Sequence, residues 1–279
     1  MIDLHTHSIY SDGSMTPAEL VAHAKASGLS ALALSDHDSL SGVAQALEEG
    51  KKRGIEVIPA IELSAESDTE THILGYFIDI ENELLLEKLK YVRQVRIERE
   101  EEICEKLRQL GFDVTMHEVE ELAETDVLCR AHFAKLMVKK GYVESVKEAF
   151  DKYLANGRPA YSGRQALTDE ECVELINQAG GMAFVAHLHL TRKPYDELKS
   201  FLIRLKAKGL CGIEGYYTEY TPEMQNQYQQ LADELGLIIS GGTDFHGAFK
   251  PHISIGRGLG NMEIPDSVLK NMKIKHKEI

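Results

Sequence analysis

The sequence has no apolar run long enough to cross a bilayer. Its longest, such as Leu29 to Leu34 and Leu235 to Ile239, fall far short of the roughly 20 residues that a spanning helix needs. Met1 is not followed by a basic segment and then an apolar one, so no secretory signal is expected and a cytoplasmic location is. Cysteine is sparse: Cys104, Cys129, Cys172 and Cys211 are widely separated and form no C-x-x-C pair, which reads as reduced thiols rather than a disulfide framework. Basic charge is also short, with 31 Lys and Arg against 45 Asp and Glu and a formal net charge of −14. That argues against duplex nucleic acid as a partner, because displacing its counterions takes a basic face. It does not exclude a small phosphorylated substrate, since bound metal ions can supply positive charge locally. The acidic surface gives no expectation about oligomeric state.

The chain is rich in core-forming material, with 43% hydrophobic residues over 279 positions. A length of this size suits one α/β barrel, or a barrel carrying an insertion. The first third alternates strand and helix signals. Ile2 to Leu4 reads as a strand, and Thr16-Pro17-Ala18-Glu19 as a capping box with proline at the first helical position. Strands are expected at Leu29 to Leu34 and Ile55 to Ile61, on either side of a helix from Ser39 to Arg53 that Gly54 ends. The last third repeats the grammar: a capping box at Thr168 to Glu171, strands at Met182–Ala186, Leu210–Gly215 and Leu237–Ser240, and helices at Tyr195–Lys208 and Pro222–Leu235. Such alternation predicts βα units and a parallel sheet. Between them, residues 81–157 are helical in period, charged and nearly free of strand signals. We read them as a helical insertion capping a barrel built from 1–80 and 158–279.

The chemistry is positional. Nearly every expected strand runs into a metal-ligand residue type: His5 and His7, then Asp36-His37-Asp38, Glu62, His187, and finally Asp244 and His246. Asp12 and His72 lie on the adjoining loop and strand. In α/β barrels the C-terminal ends of the strands converge on one face, so these residues would meet in one pocket. His5-x-His7 places two imidazoles on the same side of an extended segment, and Asp244-x-His246 has the same spacing. Buried charged groups are costly unless paired or metal-bound, so a barrel mouth crowded with Asp and His calls for cations.

The ordered set D-L-H-T-H-S-x-x-S-D-G, S-D-H-D, the isolated Glu62, A-H at 186–187 and G-x-D-x-H at 242–246 resembles the PHP (polymerase and histidinol phosphatase) phosphoesterases. The resemblance implies a distorted seven-stranded, TIM-like β/α barrel with two or three divalent ions, manganese favoured over iron, zinc or magnesium. It assigns His5, His7, Glu62 and Asp244 to a first metal, and Asp12, His37 and His246 to a second. A third falls to Glu62, His72 and His187, with Glu62 bridging. Asp12, His37, Glu62, Asp244 and His246 would be catalytic through these ions. With C-R-A-H-F-A-K (129–135) and N-G-R-P-A-Y (156–161), the chain looks like the subgroup that dephosphorylates nucleoside 3′,5′-bisphosphates and trims short RNA from its 5′ end. One departure is Leu188, where that subgroup usually has proline; His189 is an unassigned imidazole, more simply a polar surface residue.

The implied reaction is hydrolysis of a phosphomonoester by a metal-bridging hydroxide, giving phosphate and an alcohol, with no covalent phospho-enzyme. The substrate would be a nucleotide or a short oligoribonucleotide. Arg130, His132, Lys135 and Arg158 are candidates for binding a second phosphate. Asp36 and Asp38 read either as carboxylates that orient imidazoles or as caps of the following helix, and Tyr216 and Tyr217 either as base-stacking groups or as core. A phosphatase for histidinol phosphate or a sugar phosphate would use the same ligands with different pocket walls. A metal-dependent amidohydrolase also opens with H-x-H, but lacks the S-D-G and S-D-H-D pair.

Overall fold

Seven strands form a single sheet in chain order, β1 (Ile2–Thr6), β2 (Ala31–Leu34), β3 (Glu56–Ser64), β4 (His72–Tyr76), β5 (Met182–Val185), β6 (Leu210–Tyr217) and β7 (Ile238–Gly242), in the computed structural model. The structure describes residues 1–66, 69–123, 128, 130–163 and 166–278, so Cys129 of the C-R-A-H-F-A-K segment lies outside the described residues. The sheet curls until β7 meets β1. There the Asp244 N–H donates to the His5 carbonyl (2.9 Å) and the His7 N–H to the Phe245 carbonyl (2.9 Å). A TIM-like barrel results, nearly closed.

The expected parallel pairing holds for β1–β2–β3 and β5–β6–β7 and fails at β4, which runs antiparallel to both β3 and β5. The reason is connection length. Only residues 65–71 separate β3 from β4, too few for the crossover of a dozen or more residues that parallel neighbours require.

Strand alternation divides the core. Ile2 and Leu4, Ala31 and Ala33, Ile58 and Ala60, Leu74 and Tyr76, and Met182 and Phe184 pack together with Val268, Leu269 and Met272 of α10 (Asp266–His276). The intervening Leu32, Leu34 and Val57 pack against Leu20, Val21 and Ala24 of α1 (Pro17–Ala26) and Ala46 of α2 (Val43–Arg53). Each buried Val, Leu, Ile, Met or Phe among them stabilises the fold by about 1.5–3 kcal/mol. Both capping boxes form: Thr16 with Glu19 starts α1, and Thr168 with Glu171 starts α7 (Asp169–Gln178). The second helix begins at Val43 rather than Ser39. The Asp38 N–H is still bonded to the Glu62 carbonyl (2.9 Å), which keeps this segment on the sheet.

The remaining elements are α3 (Glu83–Gln109), α4 (Met116–Ala123), α5 (Arg130–Lys139), the short α6 (Val146–Ala149), α8 (Tyr195–Lys206) and α9 (Pro222–Leu235). The chain divides into two compact units, Met1–Leu89 with Leu167–Ile279, and Lys90–Ala166. The second unit has its own core, with Ile103, Leu107, Phe133, Met137 and Leu154 among its buried residues.

Candidate metal centre

Two sheet irregularities lie beneath the site. The register of β1 against β2 slips between Asp3 and Thr6, and that of β6 against β7 between Glu214 and Tyr216. Such slips re-aim side chains. Ile2 and Leu4 pack in the core, yet His5 and His7, of the opposite parity, enter the polar cluster, their rings 5.1 Å apart. Glu214 and Tyr217, three residues apart, likewise both reach ligand residues.

The glycines of the motifs have steric reasons. A Cβ on Gly13 would sit 2.3 Å from the His7 carbonyl oxygen, so the S-D-G turn that carries Asp12 folds onto the backbone of His7 and Ser8, just past β1. A Cβ on Gly242 would meet the His5 Cβ at 2.1 Å. Two ligand candidates also stand in the left-handed region, His187 at φ 24° and Asp244 at φ 56°. Non-glycine residues hold that conformation only where their surroundings over-determine it.

The structure brings together all nine side chains singled out as metal ligands. Glu62 is central and fully buried. Its Oε2 lies 3.1 Å from His5 Nε2, 3.3 Å from His7 Nε2 and 3.2 Å from His37 Nδ1. Its Oε1 lies 3.0 Å from both His72 Nδ1 and His187 Nε2. Asp244 Oδ1 is 3.0 Å from His7 Nε2 and 3.5 Å from His5 Nε2. Asp12 Oδ1 is 3.1 Å from His246 Nε2, whose other nitrogen is fixed by the Asp244 carbonyl at 2.7 Å. Ligand atoms close enough to hold an ion fall into three groups: His5, His7, Glu62 and Asp244; His7, Asp12, His37 and His246; and His37, Glu62 and His72.

Electrostatics show how closely these charges are coupled. Burial alone would raise the carboxyl of Glu62, but His37, His5 and His72 hold it well below its usual range. Asp12, against burial, is held down by His246 and His37, and Asp244 by His246, Lys250 and His5. Among the imidazoles, burial and then His246 push His7 down to about 3. His72, against burial, is raised by Glu62 to about 9.

Do these residues fit divalent metals? His7 Nε2, Asp12 Oδ1 and His37 Nδ1 are buried and form no aligned hydrogen bond among the described residues, their nearest oppositely charged atoms standing 3.0, 3.1 and 3.2 Å away. A buried polar atom without a partner costs about 1–3 kcal/mol, so these atoms call for something to coordinate. The nitrogen and oxygen donors suit manganese, iron, zinc or magnesium. The residues fit.

Sequence reading missed the supports around this cluster. Glu214, fully buried on β6, takes His5 Nδ1 on one oxygen (3.1 Å) and the His187 backbone N–H on the other (2.7 Å). Tyr217 is buried with the core, and its hydroxyl donates to Asp244 Oδ2 at 3.1 Å. Lys250 also donates to Asp244 Oδ2, at 2.7 Å. Tyr216, by contrast, packs partly buried against the core. Neither proposed role for Asp36 is seen. It instead accepts from the Ser8 N–H (2.7 Å), the Ser8 hydroxyl (2.6 Å) and the Ser11 hydroxyl (2.6 Å), pinning the loop that presents Asp12. Asp38 accepts from the Ser64 N–H at 3.0 Å and caps no helix, since Gly42 occupies the N-cap of α2. The Leu188 N–H donates to the Tyr220 hydroxyl at 2.8 Å, a bond that proline there could not make. His189 pairs with Glu219 at 3.1 Å and joins none of the three ligand groups.

The four candidates for a second phosphate all fall in the Lys90–Ala166 unit. Arg130, His132 and Lys135 lie on α5, with Arg130 over the Tyr161 ring at 5.3 Å and His132 buried, while Arg158 is exposed in the N-G-R-P turn.

Comparison with known proteins agrees with this geometry. The family model described as PHP domain matches residues 3–208. A 3′,5′-nucleoside bisphosphate phosphatase from Chromobacterium violaceum is 34% identical over 88% of this chain and 87% of its own length. The 5′-3′ exoribonuclease Rnm of Escherichia coli is 32% identical over 92% of this chain and 88% of its own. Among solved structures, an amidohydrolase from Chromobacterium violaceum with bound sulfate superposes with a TM-score of 0.85 at 30% identity, covering 98% of this chain and 96% of that one. Among the described residues no helix is long and apolar enough to cross a membrane. With the ligand cluster, the near-closed barrel and the family match all in agreement, the chain belongs to the PHP family of metal-dependent phosphoesterases and is a hydrolase of phosphoric esters.

Proposed function

We propose that the chain hydrolyses a nucleotide phosphomonoester, the 3′-phosphate of a nucleoside 3′,5′-bisphosphate first, and that the 5′ end of a short RNA is a second substrate. The observation that carries this reading is the convergence of six imidazoles and three carboxylates on one buried cluster. It stands in a chain whose relatives at 34% and 32% identity bear those two activities as names.

His5, His7, Glu62 and Asp244 would hold one divalent ion, Asp12, His37 and His246 a second, and Glu62, His72 and His187 a third. Such ions, when bound, supply the charge that neutralises phosphoryl oxygens and makes water acidic enough to attack at neutral pH. The protein's own part is placement. Glu62 presents two oxygens to five imidazoles, which ties the three groups into one unit. Glu214 and the Asp244 carbonyl fix the outer nitrogens of His5 and His246, leaving the inner ones to ligate. Arg130, His132, Lys135 and Arg158, all on the Lys90–Ala166 unit, would bind a phosphate, where the planar fork of arginine suits two phosphate oxygens.

The test is phosphate release with Mn²⁺ from adenosine 3′,5′-bisphosphate, AMP, histidinol phosphate, a sugar phosphate and a short 5′-phosphorylated RNA. Preference for the bisphosphate, or stepwise loss of 5′ nucleotides, is the expected result. Preference for histidinol phosphate or the sugar phosphate would overturn the nucleotide reading and leave the phosphoesterase in place.

A further inference from the structure

Lys250 lies beyond the 3–208 segment that the family model matches, and no motif of the sequence points to it. It follows a short turn, Gly247–Phe249, which begins with Gly247 in the left-handed region at φ 64°. Its ammonium is 2.7 Å from Asp244 Oδ2. The nine residues of the cluster have lone pairs to offer an ion. Lys250 has none: an ammonium carries three donors and no acceptor, so it cannot ligate a metal but can pair with an anion.

Asp244 does not depend on Lys250 for its hydrogen bonds. The hydroxyl of the buried Tyr217 already donates to Oδ2 at 3.1 Å, and Oδ1 faces His7 Nε2 at 3.0 Å. Lys250 is thus an additional donor, and it lies on the solvent side: its side chain is 36% exposed, against 8% for that of Asp244. Asp244 takes one of its three N–H donors among the described residues, which leaves donors for a molecule entering from solvent.

We propose that Lys250 binds the phosphoryl group being cleaved, its ammonium contacting a non-bridging oxygen of a phosphate monoester, and afterwards of the free phosphate product. The inference rests on the reading of this cluster as a phosphomonoesterase site. It adds to that reading a substrate-binding cation on the barrel unit itself, separate from the four candidates on the other unit.

The test uses manganese-loaded protein and the variants Lys250→Met and Lys250→Arg. Three quantities are measured: manganese content by elemental analysis, the Kd of inorganic phosphate by calorimetry, and KM and kcat for adenosine 3′,5′-bisphosphate. A hydrogen bond to a charged group corresponds to about 10- to 100-fold in binding. Lys250→Met is therefore expected to weaken phosphate by that factor and raise KM, with manganese content unchanged, and Lys250→Arg to recover most of the loss. Phosphate affinity within about twofold of wild type in Lys250→Met would overturn the proposal. So would loss of manganese in step with loss of phosphate, which would make Lys250 a positioning residue for Asp244. If Lys250→Met fails to fold, Lys250→Gln takes its place. If wild type fails to hydrolyse the bisphosphate, the nucleotide reading falls, while the phosphate titration still decides the role of Lys250.

Discussion

Glu214→Gln is the substitution that most directly probes how this site is held. The change preserves shape and removes one charge, but it also turns one of two acceptor oxygens into a donor. Both native oxygens are in use, one on His5 Nδ1 (3.1 Å) and one on the His187 N–H (2.7 Å). If the amide oxygen stays on the His187 N–H, the new NH₂ faces His5 Nδ1. That nitrogen must then accept, the ring proton moves to Nε2, and the nitrogen facing Glu62 and Asp244 loses the lone pair it needs for a metal. If the amide turns over, NH₂ confronts the backbone N–H of His187 at 2.7 Å. In the second case a buried donor loses its acceptor, a cost of about 1–3 kcal/mol. Disrupting a carboxylate that orients a ligating histidine typically lowers metal affinity about 10- to 100-fold. We therefore expect Glu214→Gln to bind Mn²⁺ 10- to 100-fold more weakly by calorimetric titration, with turnover recovering in excess metal. Wild-type metal affinity and stoichiometry in a folded Glu214→Gln protein would refute the tautomer argument.

Asp244→Ala and His7→Ala are expected to abolish turnover while circular dichroism and thermal unfolding still report a folded barrel; wild-type activity in either would sink the site assignment. Gly13→Ala should displace the turn bearing Asp12, because the added methyl would press on the His7 carbonyl at 2.3 Å; a metal titration indistinguishable from wild type would contradict this. Asp36→Ala leaves Ser8 and Ser11 without their shared acceptor, and a loss of about 1–3 kcal/mol in denaturant unfolding is the expected outcome. Metal uptake should release protons. Against burial, Glu62, Glu214 and Asp244 raise His5, and Glu62 raises His72 to about 9. A ligating imidazole must lose its proton, so apparent affinity falls as pH falls through this range. Titrations in buffers of different ionisation enthalpy measure the release, and none would remove His5 and His72 from the ligand set.

The ligand cluster was legible because its members sit at strand ends, where a barrel's topology collects them whatever their distance along the chain. The capping boxes at Thr16 and Thr168 were legible because they are local. Glu214 was not. It sits within C-G-I-E-G-Y-Y, where strand alternation permits a solvent-facing acid just as readily, and its partner His5 is 209 residues away. The slip in β6 that lets both Glu214 and Tyr217 reach the site arises from packing against β7, a relation that no local pattern encodes. The antiparallel β4 is a different case. The short stretch 65–71 held the answer, but the expectation of alternating helices overrode it. Lys250 belonged to no ligand motif, and only its approach to Asp244 singles it out.

The meeting of β7 with β1 has a further consequence. Among the described residues the two strands share an isolated bridge, Thr6 with Phe245, rather than a regular ladder, and the Asp3 carboxylate, which accepts from the Thr243 N–H (2.9 Å) and hydroxyl (2.6 Å), helps hold that edge. His5 and His7 stand on one side of this seam, and Asp244 and His246 on the other. An ion shared between them would reinforce with coordinate bonds a seam that few backbone bonds hold, joining the first strand of the barrel to the last. Amide exchange along residues 3–7 and 243–246 should then slow on loading with Mn²⁺, and chelation should set that seam breathing before any other part of the barrel.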